Sequence, residues 1–128
     1  MNKNELSSIT EKMKPWRIPS EVKKSISIID EKKGENIVVL KLKTISDITD
    51  FMVICQGGSS RHNTAIAMEI EKMLKKEFKI KPYGKEGLKT GEWILLDYIN
   101  FIIHIFDEET RKKYTLEKFW MDAKRYDI

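Results

Sequence analysis

The chain has 128 residues, 41% hydrophobic and 34% charged, and a formal net charge of +4, which suits one domain that buries roughly two-thirds of its unfolded surface. Its single cysteine, Cys55, rules out an internal disulfide framework and fits a reducing compartment. No apolar run approaches the ~18 residues of a membrane helix, and charges of both signs near the start, with Glu5, Glu11 and Glu21, speak against a targeting segment, so a cytoplasmic protein is expected.

Residues 1–19 read as a flexible N-terminal extension ahead of a domain over 20–128. They are polar, contain Pro15 and Pro19, and offer Leu6, Ile9 and Met13 for a short amphipathic helix. Ser20 is placed to cap the next helix, whose apolar face is Val22, Ile26 and Ile29 and whose end is the turn "EKKGEN" at Gly34. "NIVVLKL" reads as a strand. "SDITD" is a turn in which Asp47 and Asp50 are expected to bond nearby amides. "FMVICQ" is apolar throughout, the pattern of a central strand.

Ile66, Ile70, Met73 and Leu74 fall at i, i+4, i+7 and i+8, which predicts an amphipathic helix. "KIKPYG" is a short extended piece and "KEGLKTGE" a loop. "WILLDY" and "FIIHIF" are two strong strands joined through Ile99 and Asn100. "EETRKKY" and "LEKFWMDA" read as two short closing helices, the second capped by Thr115. The order α-β-β-α-β-β-β-α defines a single α/β domain with a mixed β-sheet flanked by helices.

The stretch "CQGGSSRH" raises the question of catalysis. Small residues at a helix start let backbone amides approach phosphate, and a metal-dependent nucleotidyltransferase would add convergent carboxylates. Glu69 and Glu71 lie nearby, but residues two apart on a helix diverge by about 200°. No Gly-Lys-Ser/Thr follows, so a Walker loop is absent. His62 and His104 have no second ligand at metal-binding spacing, and Cys55 has no partner base in sequence. No catalytic residue, metal or cofactor is expected. The glycines end a strand, and Ser59 or Ser60 caps the helix.

Residues 72–89 hold seven lysines against Glu77 and Glu86, a local balance of +5. Two readings stay open: a solvated helix end that suits the C-terminal dipole, or a surface close to nucleic-acid phosphates. In the second reading Lys75, Lys76, Lys79, Lys85 and Lys89 are the RNA-proximal side chains. The strand pair raises a different prospect. Trp93, Leu95 and Asp97 alternate with Ile94, Leu96 and Tyr98, while Ile102, His104 and Phe106 share one side of the next strand. An aromatic and polar mix on one side is the composition of a binding surface. The competing reading covers both faces with helices and makes these aromatics core.

"SDITDFMVICQGGSSRH", "KPYGKEG", "GEWILLDY", "IIHIF" and "TRKKYTLEKFW" together resemble, in order and spacing, the ribosomal silencing factor (Iojap-like) family. The resemblance implies a fold related to nucleotidyltransferases without their metal-binding acids. It implies a translation repressor that binds the large ribosomal subunit through its protein fourteen, blocks joining of the small subunit and lowers translation when nutrients are short. The implied contact strand is Trp93 with Leu95, Leu96, Asp97 and Tyr98; His104 and Phe106 join it from the strand geometry. Late large-subunit assembly on the same surface is the alternative, and exposed strands make a homodimer of the free protein a further expectation. One departure stands out. Where the family has a Gly-Asp type turn this chain has Ile99 and Asn100, and a β-branched residue disfavours positive φ, so a different turn or a longer loop is expected.

Overall fold

A computed structural model describes residues 18–128, so the 1–19 extension, apart from Ile18 and Pro19, lies outside the described residues, as do its expected helix and flexibility. Ile18 already belongs to the core, at 5% exposure. Helix α1, Ser20–Glu31, starts after Pro19; Ser20 is its first residue, and no side chain caps it. Its apolar stripe Val22, Ile26 and Ile29 is completely buried. Lys33 rather than Gly34 takes the left-handed φ, at 65°. Gly34 is needed for space instead, because a Cβ there would lie 2.5 Å from the Ile29 side chain.

The remaining elements are β1 (Glu35–Lys41), β2 (Phe51–Gln56), α2 (Ser60–Phe78), β3 (Gly84–Glu86), β4 (Trp93–Asp97), β5 (Phe101–Phe106), α3 (Glu108–Tyr114), a 3₁₀ turn (Leu116–Trp120) and β6 (Lys124–Asp127). They build one six-stranded sheet in the order β3-β4-β5-β2-β1-β6. The β2–β5 pair is parallel and all other neighbours are antiparallel. The all-apolar strands β2 and β5 are the two central ones, buried at every position, as strands covered on both faces must be.

Alternation assigns the two faces. Val39, Val53, Cys55, Ile94, Leu96, Ile103 and Ile105 point to α1 and α2 and meet Ile66, Ile70 and Leu74. Val38, Leu40, Met52, Ile54 and Phe106 form a second cluster under Leu116, Trp120 and Ala123. The chain end therefore roofs part of the second face.

That roof is where the expected elements change. "LEKFWMDA" is not a helix throughout: after the 3₁₀ turn the chain straightens and pairs Tyr126 with Val39 of β1. Thr115, at φ 36°, is the left-handed end of α3 and makes no side-chain cap. In the β1–β2 turn the Ile48 amide is held by the Ser46 hydroxyl at 3.1 Å, where Asp47 and Asp50 were expected to serve.

Candidate functional site: the second sheet face and its borders

The stretch that raised catalysis is closed by its own side chains. Ser59 caps α2 by accepting from the His62 amide at 3.1 Å, and His62 Nδ1 accepts from the Gly58 amide at 2.8 Å. With Nδ1 an acceptor, the other ring nitrogen, Nε2, donates to the Lys32 carbonyl and ties the end of α1 to the start of α2. Two amides that a phosphate would use are thus committed. The depression beside them is bordered by Glu92, Asp107, Glu108 and Glu109 against the single cation Lys112, which is paired with Glu108, so its net sign repels an anion. Glu69 faces Lys32 at 3.8 Å and Glu71 binds Lys85 at 3.0 Å, so the two carboxylates do not converge. Among the described residues no group of three His, Cys, Asp or Glu side chains stands close enough to hold a metal. Burial pushes the Cys55 thiol up to about 12, far from a nucleophile's range.

The residues expected at the partner surface divide by the pleat. Register pairs Trp93 with Phe106, Leu95 with His104 and Asp97 with Ile102, so these six share the second face. Leu96 and Tyr98 belong to the opposite face and are buried against the helices, at 0% and 8% exposure. They cannot join the same contact surface as Trp93. The Tyr98 ring stacks on Phe101 at 4.8 Å; burial and the Glu71 carboxylate push its hydroxyl well above the usual phenol range.

On the second face, Trp93, Leu95 and Asp97 are half-exposed, whereas Phe106 is fully buried and His104 nearly so. The aromatics form one cluster. Trp93 packs on Phe106 at 4.8 Å and on Tyr114 at 5.0 Å, and its indole N–H donates to His104 Nδ1 at 2.9 Å. Burial lowers the His104 pKa to about 4, so the ring is neutral and serves as an acceptor. His104 and Phe106 are therefore supports that set the pose of Trp93. Their burial was not legible in the strand pattern, because the cluster around Phe106 is covered from the chain end by Leu116, Trp120 and Ala123, while His104 has Trp93 itself against it. Asp97 has a second duty: one carboxylate oxygen accepts the Ile99 amide at 2.7 Å.

The hairpin after Asp97 keeps two residues in its loop. Ile99 takes φ 72° at the centre of a γ-turn closed by the Asn100 amide on the Tyr98 carbonyl at 2.9 Å. Of the two expected outcomes, a different turn or a longer loop, the structure has the different turn, and within it Ile99 does take the positive φ that its branching disfavours. The turn is held from outside, by the Thr49 hydroxyl on the Ile99 carbonyl at 2.9 Å and by the Asp50 amide on the Asn100 carbonyl at 3.1 Å.

The lysine set also divides. Lys75, Lys76 and Lys79 line an open groove of about 570 Å³ with Lys72, Lys81 and Ile80 at the C-terminal end of α2. Lys85 is held by Glu71, and Lys89 lies by the other end of the helix, near Ser60 and Arg61. Lys72 and Lys81 complete the groove; their place in the same charge run was the signal for them.

A family model described as "Ribosomal silencing factor during starvation" matches residues 15–128, and the chain belongs to that family. It is 36% identical to the ribosomal silencing factor RsfS of Halalkalibacterium halodurans over 104 residues, 81% of this chain and 88% of the relative. To mouse mitochondrial assembly of ribosomal large subunit protein 1 it is 33% identical, over 74% of this chain and 42% of that longer protein. A crystal structure from Bacillus halodurans superposes with a TM-score of 0.69 at 34% identity, covering 81% of this chain and 93% of that one. A ribosome-associated silencing role follows from the family. No described helix is long and apolar enough to cross a membrane.

Proposed function

We propose that this chain is a non-catalytic translation repressor of the cytoplasm that docks on protein fourteen of the large ribosomal subunit and blocks joining of the small subunit. The observation that carries the reading is the half-exposed row Trp93, Leu95 and Asp97, set on the β4–β5 hairpin within a silencing-factor domain. Leu95 and the open part of Trp93 supply affinity by losing water, and the Asp97 oxygen not used by the turn meets a basic side chain. Repression here is steric, so it needs a stiff surface and no reaction. The lysine groove around Lys75, Lys76 and Lys79, with Lys89 further along, skirts ribosomal RNA and adds salt-dependent attraction. Free of the ribosome, the chain pairs with itself through exposed apolar side chains such as Phe119 and Met121.

Co-sedimentation with isolated subunits, scored with subunit joining, tests the reading. Trp93→Ala removes a side chain that also packs on Phe106 and Tyr114, so Leu95→Lys runs beside it as a surface change. Wild-type protein is expected to sediment with the large subunit alone and to stop joining; both variants are expected to fail. Retention by Leu95→Lys would remove this face from the interface.

A second reading is favoured by the mouse relative, whose name states large-subunit assembly. Binding without an effect on joining, and precursor subunits in cells that lack the protein, would support assembly over silencing.

A further inference from the structure

The lower border of the Trp93 cluster is a small cavity rather than a flat surface. It measures about 310 Å³, and its walls include Glu92, Trp93, Asp107, Glu109, Lys113 and Tyr114. That is at the small end of the roughly 300–1,000 Å³ of ligand sites, with room for the head and stem of one long side chain. Two aromatic walls stand beside three carboxylates, on a protein whose net charge is +4. The local sign is opposite to that of the whole molecule.

Each wall restricts the occupant. The indole N–H of Trp93 is used inward on His104, and its ring packs on Phe106 and Tyr114, so Trp93 is an apolar wall and the open aromatic face is that of Tyr114. Tyr114 is 45% exposed and already carries a cation, the Lys113 ammonium 5.5 Å from its ring centre. That internal ammonium shows what the ring attracts and is exposed enough to be displaced. Asp107 uses one carboxylate oxygen on the Thr110 amide at 2.7 Å; Glu92 and Glu109 are exposed at the rim. Aromatic faces with carboxylates at the rim select a cation, and a planar one stacks best.

We infer that the cavity bordered by Trp93 and Tyr114 receives an arginine side chain of the partner protein, its guanidinium on the exposed face of Tyr114 and its N–H groups on Glu92 and Glu109. The inference rests on the ribosomal-protein reading above and names the chemistry of its anchor. A protein that lives against RNA phosphates is rich in such side chains. The site adjoins Leu95, so the anchor and the apolar contact belong to one interface.

Two measurements on the intact protein separate this inference from the reading it rests on. In the first, N-acetyl-arginine amide is titrated into ¹⁵N-labelled protein and the Trp93 indole N–H signal, assigned with Trp93→Phe, is followed. A saturable shift is expected, stronger than with N-acetyl-lysine amide, absent with N-acetyl-glutamine amide, and lost in Tyr114→Leu. No shift with arginine would overturn the pocket; a stronger response to lysine would overturn the choice of guanidinium.

In the second, Glu92→Gln/Glu109→Gln is compared with wild type in large-subunit co-sedimentation, with Glu31→Gln as a distant control. About a tenfold loss is expected for the double variant, the scale of charge-assisted contacts at a rim, and none for the control. Unchanged binding of the double variant would overturn the pocket as part of the interface while leaving the ribosomal reading intact. Failure of wild type to bind would overturn that reading and the partner named here, with the titration alone deciding the pocket.

Discussion

Ile99 holds a φ of 72°, where its branched Cβ crowds its own backbone. Such a position costs of order 1–3 kcal/mol, and the bonds from Thr49 and Asp50 hold the turn shut against it. Glycine would keep those backbone bonds and lose the crowding, at the expense of a more disordered unfolded chain. Ile99→Gly is therefore expected to raise stability by about 1 kcal/mol, read as a higher urea midpoint with an unchanged slope. The sequence shows the branched residue but not the Thr49 and Asp50 bonds, which come from a loop some fifty positions away. By contrast, the faces of Trp93, Leu95 and Asp97 were legible, because pleat alternation is local. Whether a face is covered is not local, and for that reason the sequence does not show that His104 and Phe106 are buried.

At the scale of elements, the roof over the second face depends on Arg111. Its guanidinium binds Glu117 at 2.8 and 3.0 Å and also reaches the Asn36 carbonyl, joining α3, the 3₁₀ turn and β1. Both side chains are mostly buried, at 12% and 13% exposure. Arg111→Met leaves the Glu117 carboxylate without its partner and is expected to destabilise by about 2–3 kcal/mol. The loss should be local first: the β6 amides lose hydrogen-exchange protection while those of the α2 core keep theirs. β1, β2, β4, β5, α1 and α2 could be read from periodicity. β6 could not. "KRYD" has one aromatic among charges, and it becomes a strand only because β1 offers an unpaired edge.

For the molecule as a whole, one buried histidine sets an acid limit. His104 titrates near 4 when folded and near 6.5 when unfolded, so between those values the unfolded chain binds the extra proton. Its contribution is complete above about pH 6.5 and is lost as pH falls towards 4, by up to about 3 kcal/mol. Urea midpoints at pH 7.5 and 4.5 are expected to differ more in wild type than in His104→Gln, which can still accept the Trp93 N–H but does not titrate. An equal fall in both proteins would remove His104 as the cause.

The pairing of Val39 with Tyr126 brings together positions from opposite ends of the described chain. Closing so long a stretch has a high entropic barrier, so this edge forms after the hairpins and α2 rather than with them. During synthesis β1 therefore waits with one side open while everything between it and β6 is made. A folding chain spends that interval with a template edge bare, and charged Lys41 and Glu35 at the two ends of β1 are what discourage a neighbouring chain from taking β6's place.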